Sequence, residues 1–202
     1  MTARKRVVIF ISGRGSNMQA IIDAAKAPDY PAEVVGVFAN KADAAGLSSA
    51  AAEGIPTAWR SHKDYASRET FEEAIEEVLA GWRPDIICLA GFMRVLTPGF
   101  AQRWQGRMVN IHPSLLPLHR GLHTHARALA DGVAEHGCTV HFVTAGTDEG
   151  PPILQARVPV HPGDTPESLS ARVLVEEHRI YPRALAMVAR GEARFVQSHH
   201  GD

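Results

Sequence analysis

The stretch Met108-Val109-Asn110-Ile111-His112-Pro113-Ser114-Leu115-Leu116-Pro117 carries two polar side chains on an apolar run that stops at a proline. Side chains two positions apart on a strand share a face, so Asn110 and His112 are expected to point the same way. Pro113 lacks the N–H of a sheet ladder and restricts the residue before it, which ends the predicted strand at His112. Both side chains then lie at the carboxyl edge of the sheet, where open α/β folds bind ligands.

This pair of side chains suits one kind of chemistry. An amide donor beside a protonatable imidazole can stabilise the oxyanion that forms when a carbonyl is attacked. The alternative interpretation is a hydrogen-bonded turn at a strand end, without a ligand. The other segments of the chain decide between the two.

Short apolar runs alternate with helical patterns through the first half of the chain. This alternation favours an α/β fold with a Rossmann-like, mostly parallel twisted sheet and helices on both faces. The strands predicted there are residues 7–11, 34–39, 55–58, 85–90 and 108–112. In the second half, two further strands predict a mixed or antiparallel extension of the sheet, and a last edge strand is predicted near the end. These strands are residues 139–143, 153–160 and 194–197.

Three helices carry recognisable N-terminal signals. Ser67 precedes an amphipathic pattern that ends near Gly81, and Thr97 and Thr165 each stand before a proline. A hydroxyl at the N-cap followed by proline at the first helical position is typical of a helix start. We therefore predict helices that begin directly after Thr97 and Thr165, and one that begins near Ser67.

Composition limits the classes of partner. The 202 residues include 21 Lys and Arg against 22 Asp and Glu, a net charge of −1, so no basic field is available for nucleic acid. No apolar run is long enough to cross a membrane. The two cysteines, Cys88 and Cys138, do not form a disulfide framework, which favours a reduced, cytoplasmic protein.

A glycine-rich turn, Ser12-Gly13-Arg14-Gly15-Ser16-Asn17, separates the first predicted strand from a helix. Such a turn directs backbone N–H groups and a helix N-terminus toward an anion. Met18 stands where a dinucleotide fingerprint has its third glycine, and the second strand ends at Asn40 without an acidic residue for a ribose diol. We infer a site for a phosphate monoester. The alternative is a tight turn that binds nothing.

Three other segments offer candidate side chains. The run of residues 90–96 follows the central strand and could line a slot for a flat heterocycle, but the sequence alone favours core residues with a surface arginine. Asp148 lies in a Gly/Pro-rich loop, where it either faces His112 or makes an Asx-turn. Glu177 lies on the same helical stripe as Val173 and Ile180, so it is expected to face inward.

Histidines also raise the possibility of a metal. His119, His123 and His125 are close in sequence on a predicted irregular segment. Their spacing is loose, and no carboxylate or thiolate partner is evident. We therefore predict no metal site.

Taken together, these segments resemble the folate-dependent formyltransferase family, in its phosphoribosylglycinamide formyltransferase (glycinamide ribonucleotide transformylase) branch. The resemblance covers nearly the whole chain in order. It rests on residues 11–17, 38–43, 89–94, 110–117, 121–125, 136–143, 148–151 and 177–182. The segment Ser114-Leu115-Leu116-Pro117 marks the wider family, whereas Gly15-Ser16-Asn17 and Gly121-Leu122-His123-Thr124-His125 narrow it to this branch.

The resemblance implies an activity and a set of roles. The activity is transfer of a formyl group from 10-formyltetrahydrofolate to the amine of glycinamide ribonucleotide in purine biosynthesis, with no metal. Asn110, His112 and Asp148 would be catalytic, and Asp148 would favour the imidazolium form of His112. The ribonucleotide would be bound by Gly15, Ser16, Asn17 and Glu177. The folate would be bound by Arg68, Met93, Arg94, Val95, Leu96, Asn110, Thr144, Ala145, Gly146, Thr147 and Asp148.

The resemblance also implies one formyltransferase domain over residues 1–197, with a phosphate-binding half at 1–112 and a folate-binding, catalytic half at 113–197. Residues 198–202 are expected to be a disordered polar tail. The partners would be small molecules, without nucleic acid or membrane, and the protein would be a monomer or homodimer.

Other activities remain open at this point. Hydrolysis of 10-formyltetrahydrofolate uses a related domain, but usually with an extra N-terminal regulatory domain, and here a strand is predicted within the first ten residues. Formylation of initiator tRNA needs a C-terminal RNA-binding domain for which we expect no room. A non-catalytic nucleotide-binding module is the third possibility, which the spacing of Asn110, His112 and Asp148 argues against.

Overall fold

A computed structural model describes residues 3–197. Seven strands form one sheet: β1 (Lys5–Ile11), β2 (Ala32–Ala39), β3 (Thr57–Trp59), β4 (Ile86–Leu89), β5 (Met108–His112), β6 (Glu135–Phe142) and β7 (Pro152–Pro159). Their order across the sheet is β3-β2-β1-β4-β5-β6-β7. The first five strands are parallel to one another, whereas β6 is antiparallel to both β5 and β7. The predicted mostly parallel sheet with a mixed extension is confirmed.

Residues 3–197 also contain six α-helices, of which the first five connect strands and the sixth follows β7: α1 (Ser16–Ala25), α2 (Ala45–Ala52), α3 (Arg68–Trp82), α4 (Pro98–Arg103), α5 (Thr124–Ala130) and α6 (Pro166–Ala189). The predicted N-caps Thr97 and Thr165 are confirmed, and the helix predicted to begin near Ser67 has Ser67 as its N-cap. The side chains of Ser67, Thr97 and Thr165 each accept a hydrogen bond from the backbone N–H three residues later. These bonds satisfy amide groups that a helix start would otherwise leave without a partner.

The sheet is buried on both faces. Alternate residues of β1 enter different cores, with Val7 and Ile9 in the cluster that includes α1 and α6, and Val8 and Phe10 in the cluster that includes α3 and α4. Burial on both sides explains why β1 is continuously apolar instead of alternating. Tyr181 of α6 is fully buried, and its hydroxyl donates to the carbonyl of Leu89 at the end of β4.

Two strand predictions need correction. β6 begins at Glu135, four residues before the predicted start, because Gly137 continues the strand instead of breaking it: a Cβ there would lie 1.9 Å from the carbonyl oxygen of Ala156 on β7. Residues 194–197 are not a strand. Arg194 turns back to the carbonyl of Gly191, and Phe195 packs edge-on against Phe142.

Two remaining expectations concern the ends and the environment of the chain. The predicted disordered tail, 198–202, lies outside the described residues. Within 3–197, no helix combines the length and apolar character that crossing a membrane requires.

Candidate functional site

Asn110 and His112 leave β5 on the same face. In the antiparallel pair with β6, Asn110 lies opposite His141 and His112 lies opposite Thr139. His112 is only 6% exposed, whereas Asn110 is half-buried. The strand ends at His112, as Pro113 predicts, so the chain turns away directly after the imidazole.

Asp148 lies in the loop between β6 and β7, residues 143–151, which folds back over β5 and is named the fold-back loop. Because β6 is antiparallel to β5, this loop begins beside Val109, at the start of β5, and must return over the strand. Its turns are tight: a Cβ on Gly150 would lie 1.6 Å from the carbonyl oxygen of Phe142. Asp148 itself has a φ of 54°, a left-handed conformation that Asp and Asn tolerate better than most residues. The structure thus brings Asn110, His112 and Asp148 together.

Both ring nitrogens of His112 face acceptors. Nε2 lies 3.0 Å from the carbonyl oxygen of His119, which can only accept, so Nε2 carries a proton. Nδ1 lies 3.4 Å from Oδ2 of Asp148, and that oxygen also accepts from the backbone N–H of Gly121 at 3.0 Å. The ring therefore has an acceptor beside each nitrogen, a carbonyl at Nε2 and a carboxylate at Nδ1.

The segment between β5 and α5 is held by its own hydrogen bonds. Thr139 on β6 donates to the carbonyl of Ser114 and accepts from the N–H of Leu116, and Thr124 donates to the carbonyl of Pro113. His119 and His123 have positive φ values of 50° and 56°. These contacts hold the segment against β6 and place the His119 carbonyl oxygen next to Nε2 of His112.

The glycine-rich turn leads into the first turn of α1, and Gly15, Ser16 and Asn17 at this junction are named the anion platform. Gly15 is the N-cap of α1 with a φ of 72°, and it supplies no side-chain acceptor to the first helical amides. Those N–H groups, from Ser16 and Asn17 onward, are therefore available to an anion. The side chain of Asn17 is buried, and its Oδ1 has no hydrogen-bond partner among residues 3–197.

Glu177 faces inward from α6 beside Asn17, as its place on the apolar stripe predicts. The residue is 8% exposed. Burial raises the pKa of Glu177 to about 7, and hydrogen bonding by Asn17 offsets part of that rise. A carboxylate that is hard to ionise, next to an amide oxygen without a donor, is typical of a polar site that a ligand completes.

The loop after β4 divides into inward and outward side chains. Phe92 and Leu96 pack into the core with α3 and α4, so Leu96 matches the core interpretation. Met93 and Val95 are each 62% exposed, and Arg94 is half-buried. The exposed apolar pair is available to a ligand surface.

Both ends of this loop are hydrogen-bonded to neighbouring segments, one to the turn after β1 and the other to α3. The N–H of Met93 donates to Oγ of Ser12 at 2.8 Å, and that hydroxyl donates to Oδ1 of Asn40 at 2.6 Å. At the other end, the buried carboxylate of Glu72 accepts from the N–H and the hydroxyl of Thr97. The Ser12 bond joins the glycine-rich turn to the loop after β4, across the point where the strand order reverses.

The other predicted folate residues lie in two places. Thr144, Ala145, Gly146 and Thr147 belong to the fold-back loop that carries Asp148. Arg68 is the first residue of α3 and is exposed, and within 3–197 no hydrogen bond or ion pair joins it to the side chains of Asn110, His112 or Asp148. A surface cavity of ≈ 440 Å³ lies elsewhere, at the edge strand β3, lined by Thr57, Ala58, Trp59, Arg60, Ser61 and Asp64.

The neighbouring histidines pair with other groups. His119 Nε2 lies 2.7 Å from Oδ2 of Asp131, and His125 Nδ1 lies 3.2 Å from His136 Nε2. Burial lowers the pKa of His136 to about 4, which keeps it neutral. In the part of the chain that the structure describes, no three His, Cys, Asp or Glu side chains are arranged to hold a metal ion.

The formyl transferase family model matches residues 5–185. The chain belongs to the formyl transferase family. A crystal structure of phosphoribosylglycinamide formyltransferase from Brucella melitensis shares 57% identity, covers 96% of this chain and all of that one, and has a TM-score of 0.89.

Relatives of this formyl transferase family member differ in length. The phosphoribosylglycinamide formyltransferase of Escherichia coli K12 is 48% identical over 192 residues, which are 95% of this chain and 91% of that protein. The trifunctional purine biosynthetic protein adenosine-3 of Bos taurus is 51% identical over 195 residues. The chain spans only 19% of the length of that relative.

Sequence reasoning missed several groups of this formyl transferase site. His141 lies 3.2 Å from the amide nitrogen of Asn110 and 3.8 Å from Oδ1 of Asp148. Its segment is conspicuous in the sequence, but its pairing with Asn110 depends on the β5–β6 register, which no local pattern specifies. The roles of Ser12 and Thr139 likewise appear only once the loops are placed.

Proposed function

We propose that this chain transfers the formyl group of 10-formyltetrahydrofolate to the amine of N1-(5-phosphoribosyl)glycinamide. The products are formylglycinamide ribonucleotide and tetrahydrofolate, in purine biosynthesis. The placement of Asp148, from the fold-back loop, beside the β5 pair Asn110 and His112 is the observation that carries the proposal. Membership of the formyl transferase family and the near full-length match to the Escherichia coli enzyme support it.

The two substrates would occupy opposite sides of this cluster. The first-turn amides of α1 at Gly15, Ser16 and Asn17 suit the phosphate of the ribonucleotide, and Glu177 suits its hydroxyl or amine donors. The folate would lie along Met93–Leu96 and residues 144–148, with its carboxylate tail toward Arg68. The exposed apolar side chains of Met93 and Val95 fit a flat heterocycle, which is the structural observation in favour of folate.

The reaction needs charge stabilisation and one proton transfer. 10-Formyltetrahydrofolate supplies a formyl carbon bonded to a nitrogen leaving group. Asn110 and protonated His112 would donate hydrogen bonds to the formyl oxygen as negative charge develops on it. Asp148 would assist the transfer of a proton from the attacking amine to the leaving nitrogen, so that the enzyme returns to its starting protonation state.

The His119 carbonyl sets a condition on this step. It already accepts the Nε2 proton of His112 at 3.0 Å. For that proton to reach the formyl oxygen, the segment between β5 and α5 must shift or the bond must be shared. Binding of both substrates would supply the energy, and positioning the amine beside the formyl carbon accounts for much of the rate.

A spectrophotometric assay with 10-formyl-5,8-dideazafolate tests the proposal. We expect turnover only when glycinamide ribonucleotide is present, and a His112→Ala variant that retains ligand binding but loses turnover. Loss of the formyl group without the ribonucleotide would identify a hydrolase. No turnover in either mixture, with binding retained, would identify a non-catalytic nucleotide-binding module.

Several related points are also proposals. We propose small-molecule partners only, with neither nucleic acid nor membrane, a cytoplasmic location, and a monomer or homodimer. The division into halves at 1–112 and 113–197 is consistent with the site, because the anion platform lies before β5 and the fold-back loop lies after it.

A further inference from the structure

His141 occupies the centre of the catalytic cluster without being one of its three predicted members. The residue is 2% exposed, on β6, directly across from Asn110. Its Nε2 lies 3.2 Å from Nδ2 of Asn110 and 3.8 Å from Oδ1 of Asp148. Its Nδ1 lies 2.9 Å from the carbonyl oxygen of Phe142. A single imidazole therefore contacts two of the three side chains.

These contacts define one protonation state. A carbonyl oxygen can only accept, so Nδ1 of His141 must carry a proton. An amide nitrogen can only donate, so Nε2 must present its lone pair to Asn110. Both conditions hold together only in the neutral Nδ1–H tautomer. Burial acts in the same direction, because it lowers the pKa of His141.

We propose that His141 is a positioning residue which, as the neutral Nδ1–H tautomer, fixes the direction of the Asn110 amide. A flipped amide would place Oδ1 of Asn110 against the lone pair on Nε2, which is repulsive. The unflipped amide spends one N–H on His141 and keeps its second N–H for the formyl oxygen. This inference rests on the proposed function, since it assigns the free N–H to that oxygen.

Neutral His141 also keeps Asp148 directed at His112. The titratable groups that face His141 are Asp148 from the fold-back loop and His112 from β5. A protonated His141 would offer an N–H to Asp148 and compete with His112 for the carboxylate. Staying neutral leaves the Asp148 carboxylate to Nδ1 of His112, 3.4 Å away.

A purely structural role explains these contacts less well. The bond from Nδ1 goes to the carbonyl of the very next residue, so it joins no distant parts of the fold. The longer-range contacts of the ring polar atoms go to Asn110 and Asp148, both in the catalytic cluster. The ring therefore acts on the groups that would touch the substrates.

Two substitutions separate the two ring nitrogens. His141→Asn keeps a donor near the Nδ1 position and removes the acceptor at Nε2. His141→Gln is long enough to place an amide oxygen near the Nε2 position and does not titrate. We expect His141→Asn to lower kcat by about 10- to 100-fold, less than the about 10²- to 10³-fold typical of losing an oxyanion donor outright.

The expected pattern is specific to a positioning role. The KM for glycinamide ribonucleotide should stay within about threefold of wild type in His141→Asn, because the ring contacts none of the residues proposed to bind the ribonucleotide. His141→Gln should recover at least about fivefold of the lost kcat, since it restores an acceptor for Asn110. His161→Asn, at an exposed histidine after β7, is the matched control and should behave as wild type.

A double-mutant cycle tests the coupling directly. In an Asn110→Ala background, His141→Asn should have little further effect on kcat, because the amide that it orients is gone. Full additivity of the two effects would overturn the proposal. Unchanged kcat in His141→Asn, or no recovery in His141→Gln, would also overturn it.

Nitrogen-15 NMR of the wild-type imidazoles gives an answer that does not depend on variants folding. We expect His141 to show a protonated Nδ1 and a bare Nε2 from pH 8 down to about pH 6. The opposite tautomer, or protonation near the ordinary histidine value of about 6.5, contradicts the inference. Wild-type protein with the predicted tautomer but no formyl transfer would refute the proposed function instead, so the two failures are distinguishable.

Discussion

Replacing Glu177 with glutamine separates the stability of the fold from binding at the site. Glu177 is 8% exposed, and burial raises its pKa to about 7 from an ordinary value of 4.5. At about 1.4 kcal/mol per pH unit, ionising this carboxyl in the folded chain costs about 3 kcal/mol more than in the unfolded chain. Glutamine has a similar shape, can still contact Asn17, and never ionises.

The sign of the effect follows from proton linkage. Between pH 4.5 and 7 the folded wild type holds the Glu177 proton more tightly than the unfolded chain does. Its free energy of unfolding is therefore highest below pH 4.5 and falls by about 3 kcal/mol as the pH rises through 7. Glu177→Gln avoids this loss. The variant should exceed wild type by less than about 1 kcal/mol at pH 5 and by about 3 kcal/mol at pH 8.

Urea unfolding of both proteins at pH 5, 6, 7 and 8 measures this difference. Glu176→Gln is the matched control, because Glu176 is the adjacent residue on α6 and pairs with Arg179 at the surface. That variant should stay within about 0.5 kcal/mol of wild type at each pH. Parallel pH curves for wild type and Glu177→Gln would refute the reasoning.

The same variant should bind the ribonucleotide more weakly than wild type. A carboxylate accepts hydrogen bonds from hydroxyl or amine donors more strongly than an amide does, so the KM for glycinamide ribonucleotide should rise by about 10- to 100-fold. In wild type this KM should also rise as the pH falls below 7, since the carboxylate is then lost, and the dependence should vanish in Glu177→Gln. A gain in stability together with unchanged KM would remove Glu177 from the proposed binding site.

Three further predictions concern the cluster, the tied loop and the sheet. Asp148→Asn keeps a residue that tolerates the left-handed φ of 54° but removes a charge 3.4 Å from His112. At an effective dielectric of 20 this charge is worth at most about 5 kcal/mol. We therefore expect kcat in the transfer assay to fall about 10²- to 10³-fold. Ser12→Ala removes the acceptor of the Met93 amide and should raise the folate KM about five- to tenfold, with the ribonucleotide KM little changed. Gly137→Ala would place a Cβ 1.9 Å from the Ala156 carbonyl and should lower the free energy of unfolding by about 3 kcal/mol, measured in urea.

Each of these has a control within the chain. Asp131→Asn removes a carboxylate that contacts His119 instead and should leave kcat within about threefold of wild type. Ser49→Ala, on exposed α2, should leave both KM values unchanged. Gly81→Ala should stabilise by up to about 1 kcal/mol, because a Cβ there meets nothing within 4 Å inside α3. A variant that matches its control would contradict the corresponding prediction.

Local signals account for what the sequence predicted well. The helix starts after Ser67, Thr97 and Thr165 depend on a side chain three residues from its own donor, so nearby residues are sufficient. β5 could be bounded at His112 because Pro113 has no N–H to continue the sheet ladder and restricts the residue before it. Asn110 and His112 share a face for the same local reason.

Non-local contacts account for what it missed. In the sequence Gly137 is typical of a strand break, but in the fold it allows the backbone of Ala156 on β7 to approach closely. Residues 194–197 have the apolar pattern of a strand, but Phe195 meets the ring of Phe142 instead of a pairing strand. His141 becomes part of the site only through the antiparallel register that sets it opposite Asn110.

Left-handed backbone conformations beside the catalytic cluster limit how the cluster could be grafted onto another protein. Three non-glycine residues in the segments over β5 have positive φ: His119, His123 and Asp148. Proline, fixed near −65°, is incompatible with all three positions, whereas glycine or a D-amino acid would suit the backbone at His123. A graft that copied only the side chains of Asn110, His112 and Asp148 onto another scaffold would lose the carbonyl over His112 and the approach of Asp148. The left-handed positions have to be transferred with them.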